Sequence, residues 1–355
     1  MVSLNFNDFF FLLNPITFIL YLWVFFFKIN NTLPRITQNN TTNIKIIKIN
    51  SNVIFTYFYL FLLIYTYFSI YTIHGKNDLL WFSHFNLNNF SLNLFHLFFF
   101  IGFILFYLLK STVKKTNLTK CIDYIFSINN LIILFPYLFC VNTIFTFLFI
   151  IELISAILLY KLISSKIWFK KNNKSKVVEN NIPQNYINMV FFQYWVTFFS
   201  TIFIVYFYIN IFYIYGTSDW FLIQFFNSIG FANSHTDGLV IRFLIVVFII
   251  SIFFKLGVTP FHLFKVEVYK GIPYLSIFFY TTYYFIVFFV FFMYLMSDFL
   301  AFFVNQYFVF LLFILFLGSF YVVVLLFDVS FLKVFFTYST VINTIAFFVA
   351  FVANL

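Results

Sequence analysis

A chain of 355 residues that is 64% hydrophobic and only 8% charged, with a mean hydropathy of +1.01, lies outside the range of soluble globular proteins and reads as an all-α polytopic membrane protein. Its formal charge of +10 calls for no nucleic acid, since basic loops beside anionic lipid head groups account for it. The 67 Phe and 25 Tyr, with abundant Ile, Asn and Lys, are residues of AT-rich codons and point to an AT-rich genome such as an organelle's.

A transmembrane helix needs about 20 predominantly apolar residues. That window predicts ten spans, near 9–27, 53–73, 92–109, 122–140, 143–163, 187–212, 240–262, 274–296, 300–326 and 332–354. Residues 1–8 hold no Lys or Arg and lead into a full-length span, so no removable signal is expected. Cys121 and Cys140 stand at opposite ends of the fourth span, roughly 28 Å apart at 1.5 Å per residue, and cannot bridge. Two cysteines are also too few for an iron–sulfur cluster, which needs about four. With no Gly-rich phosphate loop, dinucleotide fingerprint or metal-ligand His pair, no cofactor is expected in this chain.

Lys and Arg collect in loops on the side of synthesis. The odd-numbered loops and adjoining span ends hold 17 of the 20 basic residues, Lys161, Lys265 and Lys333 among them. The opposite side keeps Lys76 and Arg242, and Lys255 falls within a span. This sorting places both termini away from the basic side. The longest basic loop, Lys170 to Asn181, reads as a solvated connection.

Two charges remain inside the membrane. Glu152 lies near the middle of the fifth span, and Lys255 about 10 residues, or ~15 Å, from the loop at Lys265, so their depths match. The plainer reading is an ion pair that locks two helices. Buried ionisable groups are costly, however, at about 2.5–3.5 kcal/mol for a lysine at a helix centre, and usually mark an ion or proton path. Burial and pairing act on such groups in opposite senses, so a lysine whose carboxylate can approach or withdraw is a proton switch. The run carrying Lys255 then breaks at Gly257 and Pro260 and delivers His262. Freed backbone at that depth is tolerated only where it lines protein or water. A His at a helix end often just bonds a loop, but seven residues beyond a buried lysine it is also a proton-relay candidate. Lys265, Glu267 and Lys270 are most simply interfacial.

On the sixth span Gln193, Thr197, Ser200 and Thr201 share one face at i, i+4, i+7, i+8. Interhelical hydrogen bonding is the plainer reading, worth about 0.6 kcal/mol each; the wall of a hydrated path is the other. The tenth span carries a similar polar set, Tyr338, Ser339, Thr340, Asn343 and Thr344.

The segment KLGVTPFHLFKVEVYKGIP, Lys255 to Pro273, resembles the antiporter-like membrane subunits of respiratory complex I, and among them NADH dehydrogenase subunit 2. A second match is IIELISAILLY, Ile150 to Tyr160, and a weaker third is FLKVFFTYSTVIN, Phe331 to Asn343. The resemblance runs from about Leu118 to the end of the sequence. It implies inverted five-helix repeats with a broken seventh helix, a transporter architecture. The organisation expected from it is an N-terminal three-helix segment over 1–117, a first five-helix repeat over 118–296 and the opening of a second over 297–355. It also implies that Glu152 and Lys255 form the pair whose separation tunes the lysine, with His262 continuing the axis.

Three departures accompany the resemblance. Gln193 and Phe285 stand where the family usually carries lysines, and the chain stops after about ten helices, without the usual C-terminal helices. The expectation is a proton-translocating membrane-arm subunit of NADH:ubiquinone oxidoreductase in the mitochondrial inner membrane, with basic loops in the matrix and termini toward the intermembrane space. NADH, flavin, iron–sulfur clusters and ubiquinone would then sit in other subunits. Expected partners are other membrane-arm subunits, phospholipid, and a separate polypeptide supplying the C-terminal helices. A non-pumping structural subunit and a stand-alone cation/proton antiporter are the alternatives.

Overall fold

The computed structural model describes residues 78–80, 83–113, 122–165, 181–228, 235–298 and 301–354. Predicted spans 9–27 and 53–73, Cys121 and the 117/118 boundary lie outside the described residues. The architecture is mostly α-helical and of multi-span membrane type. By contacts the chain forms two compact units, 1–140 and 141–355.

The first unit contains a short antiparallel hairpin, β1 (Asp78–Leu80) on β2 (Phe85–Leu87), that hydropathy did not foresee. Helix α1 (Asn89–Val113) follows, its start held by the Asn88 N–H donating to Ser91 Oγ at 2.9 Å. Helix α2 (Ile122–Leu134) gives way to a 3-10 segment, Phe135–Cys140. Pro136 explains the change, because it has no N–H to continue the α pattern. The 3-10 segment packs on α1 through Phe98 stacked on Phe139, with ring centroids 4.8 Å apart.

The second unit starts with α3 (Ile144–Ser164), capped by Thr143, whose side chain accepts from the Thr146 N–H. Helix α4 (Asn181–Tyr215) runs for 35 residues, about 50 Å, well beyond the predicted 187–212 and the ~30 Å hydrocarbon core. A short α5 (Trp220–Ser228), not foreseen, returns the chain to the start of α3: the Trp220 N–H donates to the Asn142 carbonyl and the Ile144 N–H to that of Ser218.

Helix α6 (His235–Leu256) ends where the sequence says it should. Gly257 adopts φ +64°, the left-handed conformation that closes a helix C-terminus at little cost. The Val258 N–H reaches back to the Phe253 carbonyl at 3.1 Å, the long bond of a Schellman turn. The chain turns through Pro260 and resumes as α7 (Leu263–Gly271). Gly257→Ala should cost about 1–2 kcal/mol, because Cβ is disfavoured at positive φ, and its Cβ would press on the Lys265 stem at 3.0 Å. A lower melting temperature of the solubilised protein is the readout.

The predicted eighth span is one rod in three parts: α8 (Tyr274–Phe279), a π-helical turn (Tyr280–Tyr284) and α9 (Phe285–Asp298). Helices α10 (Ala301–Phe327) and α11 (Leu332–Asn354) reproduce the last two predicted spans within a residue. Helix α4 packs on α3, α6 and α7, α11 packs on α7 and α10, and α9 touches both α6 and α10. Beside the break α10 comes very close: a Cβ on Gly318 would collide with the Thr259 side chain.

Among the described residues, five helices are long and apolar enough to cross a membrane: Ile144–Ser164, Tyr186–Tyr215, Tyr274–Met296, Val309–Phe327 and Leu332–Ala350. They correspond to the fifth, sixth, eighth, ninth and tenth predicted spans. The third and fourth contain shorter apolar helices, Asn89–Gly102 and Ser127–Cys140. The seventh is the interrupted α6 with its charged residues Arg242 and Lys255.

Candidate functional site: the break after Lys255

Ending a helix inside a packed interior leaves carbonyls without partners, and each needs a donor. Around the end of α6 these donors come from three places. The Phe253 carbonyl accepts the Val258 N–H, the Lys255 carbonyl accepts the Tyr284 hydroxyl at 3.3 Å, and the Leu256 carbonyl accepts Lys265 Nζ at 3.2 Å. The other end of α7 is closed in the same way by Lys333 Nζ, which donates to the Ile272 carbonyl at 2.7 Å and to that of Lys270 at 3.3 Å. Lys265 and Lys333 therefore serve the packed helix ends, where an interfacial or loop position had been expected. Glu267 and Lys270 pair with each other at 2.5 Å, part-exposed.

With its carbonyl held by Tyr284, Lys255 points its ammonium elsewhere. It lines two adjoining cavities. The larger, about 30 Å³, is walled by Gln193, Lys255, Lys265, Tyr269, Tyr280 and Tyr284, with Phe285 at its edge. A water needs roughly 10–15 Å³ of such space and two to four polar partners, so the larger cavity has room for about two. The smaller, about 10 Å³, lies between α3, α4 and α9 and is lined by Ser155, Gln193, Thr197, Lys255 and Tyr284. Lys255, Gln193 and Tyr284 belong to both.

Glu152 approaches this space through Ser155, whose hydroxyl donates to the Glu152 carbonyl at 2.8 Å and lies 3.4 Å from Oε2. The carboxylate and the Lys255 ammonium interact electrostatically, but no direct ion pair joins them. Among the described residues neither Lys255 Nζ nor Glu152 Oε1 meets a hydrogen-bond partner. A buried charge without a bonded partner is expensive. No ion pair locks α3 to α6 at this point: Glu152 meets Ser155, and Ser155 and Lys255 both line the smaller cavity.

The sixth-span polar face divides between its two readings. Ser200 Oγ donates to the Ser251 carbonyl at 3.0 Å, tying α4 to α6, whereas Gln193 and Thr197 face the cavities. Thr201 returns its hydroxyl to the Phe198 carbonyl of its own helix. His262 is 2% exposed, its ring set edge-on to Tyr321 of α10 at 5.8 Å and beside Tyr338 of α11. The tenth-span set is spread over two faces. Tyr338 and Thr344 are buried and Asn343 is exposed, while Thr340 and Thr344 donate to carbonyls of α11 itself.

Phe285 stands where the resemblance leads one to expect a lysine. It shares the wall of the larger cavity with the polar side chains Gln193, Lys255, Tyr280 and Tyr284. Tyr280 and Tyr284, at i and i+4, both lie in a π-helical turn, and such turns recur at functional sites. Tyr284→Phe removes one buried hydrogen bond, so a loss of about 1 kcal/mol in stability is expected; chemical denaturation in detergent is the measurement.

Sequence reasoning missed one buried charge. Lys161, sorted with the basic loops, is wholly inaccessible, its ammonium 3.7 Å from the centre of the Phe279 ring and 4.7 Å from that of Tyr280. Its spacing from Ile154 and Leu158, at i+7 and i+3 on the buried stripe of α3, is the signal that was available.

No family model matches the chain. A stretch of 84 residues, 23% of this chain, is 37% identical to "Uncharacterized mitochondrial protein ORF4" of Paramecium tetraurelia. That stretch spans about half the relative's own length, 53%.

Proposed function

We propose that this chain moves protons across the mitochondrial inner membrane by an antiporter-like mechanism, with Lys255 as the group that gains and loses the proton. The observation that carries this reading is the position of Lys255: at a helix break, in two water-sized cavities, within electrostatic reach of Glu152 but not bonded to it. When Glu152 and Lys255 draw together, the charged lysine is favoured; when they separate, burial favours its neutral form and the proton departs. Gln193, Thr197 and Tyr284 supply the polar wall along which water can carry it. His262, on the far side of the break with Tyr321 and Tyr338, continues the route toward α10 and α11.

The more specific form of this reading is a membrane-arm subunit of NADH:ubiquinone oxidoreductase. It draws support from the segment Lys255 to Pro273 and from the mitochondrial origin of the partly similar protein. Redox energy would then be released in other subunits, which would carry NADH, flavin, iron–sulfur clusters and ubiquinone, and would reach Glu152 and Lys255 mechanically or electrostatically. Partner helices would be sought against α11, where Asn343 is exposed. A stand-alone cation/proton antiporter is the second reading. It is favoured by one specific observation: Glu152, Lys255 and the polar groups lining the smaller cavity all belong to the single unit 141–355.

Purification from native membranes separates the two. Migration in a large assembly with NADH:ubiquinone reductase activity supports the subunit. Cation-driven proton movement by the isolated chain in vesicles supports the antiporter. Basic loops on the matrix side follow from either, and protease protection of intact inner membranes tests that orientation.

A further inference from the structure

Lys161 has no place in the path as drawn so far. It sits on α3 nine residues beyond Glu152, about 14 Å along the axis, and one turn from the helix end that leads into the basic loop. Its side chain is fully enclosed. Two rings of the rod that follows α7, Phe279 and Tyr280, hold the ammonium, and such contacts are strongest where water is excluded.

Tyr280 is also a wall of the larger cavity, together with Lys255 and Lys265. On α3 itself, Ile154 and Leu158 precede Lys161 on the same face and line the smaller cavity. Lys161 thus stands one aromatic ring away from the space around Lys255, on the side of the basic loops.

We infer that Lys161 is the proton-loading residue on the basic-loop side, passing its proton through the Tyr280 hydroxyl and cavity water to Lys255. In the step, the Lys161 ammonium gives up one proton and the Lys255 amine gains one. Tyr280 accepts a proton on its oxygen as it releases its own, and ends unchanged. Net charge moves from α3 to α6 and no bond other than O–H and N–H is made or broken. This inference rests on the proposed proton path and names its entry.

The test uses proton flux in vesicles containing the intact assembly purified with this chain. Lys161→Arg is the decisive variant, because arginine keeps the charge and the ring contacts but does not deprotonate in proteins. If Lys161 relays protons, Lys161→Arg melts like the wild type yet loses flux at least ~10-fold, the scale of a lost proton-transfer group, and Lys161→His recovers part of it. Wild-type flux in Lys161→Arg overturns the inference and leaves Lys161 a packing cation. Should Lys161→Arg fail to fold, Tyr280→Phe decides: it retains the ring beside the ammonium and removes only the hydroxyl, so a flux loss of similar size supports the relay and unchanged flux overturns it. Lys255→Met separates the inference from the reading beneath it. Flux abolished by Lys255→Met but normal in Lys161→Arg sinks this inference alone, while flux indifferent to Lys255→Met sinks the proton path and this inference with it.

Discussion

Replacing Lys255 by Met should abolish proton movement while leaving the protein folded. Methionine matches the length of the lysine stem and fills irregular space well. The substitution also removes a buried charge whose cost no direct partner offsets, so stability should hold or rise. Loss of function with retained or improved stability is the signature of a group kept for chemistry. A proton-transfer residue contributes on the order of 10²–10⁴ in rate, so flux measured with a pH-sensitive dye should fall to background. Glu152→Gln should act through Lys255: it keeps the shape and the approach to Ser155 but removes the field, so flux falls without vanishing. If both variants pump normally, the chain is a structural component and the cavities are packing defects.

Gly318→Val should be the most damaging single change to the fold among the described residues. Helix α10 reaches the break only because position 318 has no side chain, and any Cβ there would overlap the Thr259 side chain. Thr259 is 1% exposed and pinned between the Schellman turn and Pro260, so it cannot yield. Overpacking of this kind costs about 1–3 kcal/mol and more when neither side can move. The adjacent Ser319→Ala is the control: Ser319 is part-exposed and donates to the Phe316 carbonyl of its own helix, so its effect should stay within about 0.5 kcal/mol. Equal melting of Gly318→Val and Ser319→Ala would show that α10 does not seat on the break.

How far the sequence could be read varied with the kind of signal. Long apolar runs bounded by polar residues gave α10 and α11 nearly to the residue, because hydropathy and helix length are summed over many positions. The end of α6 was readable for a different reason: Gly257 and Pro260 are each incompatible with continuing the helix. The lysines were harder. Lys161 and Lys265 lie near span ends, and a rule that counts charges by loop assigns both to water. Their surroundings come from elements distant in sequence: Phe279 and Tyr280 for Lys161, and the Leu256 carbonyl for Lys265 after the chain has turned back on itself. Helix α7 was passed over because LFKVEVYKG is too short and too charged for a membrane window. That Glu152 and Lys255 come within electrostatic reach of each other is consistent with the matching depths that residue counts predict. The gap between them, and the hydroxyls and amide that line it, was not legible in the sequence, since it depends on how α3, α4 and the π-helical turn pack.

The turn at Tyr280–Tyr284 winds one residue more into its circuit than an α-helix does. A wide turn of that kind absorbs a residue locally, so a single deletion from YTTYY would restore plain α geometry and leave the phase of α9 nearly as it is. Phe291, which stacks on Phe147 of α3, and Phe292, which meets Phe348 of α11, would then keep their places. A deletion within α9 itself has no such slack: an α-helix advances about 100° per residue, so all that follows would swing by more than a quarter circle. In this rod the short aromatic stretch acts as a slack link, where the chain can change by one residue without re-aiming the helix beyond it.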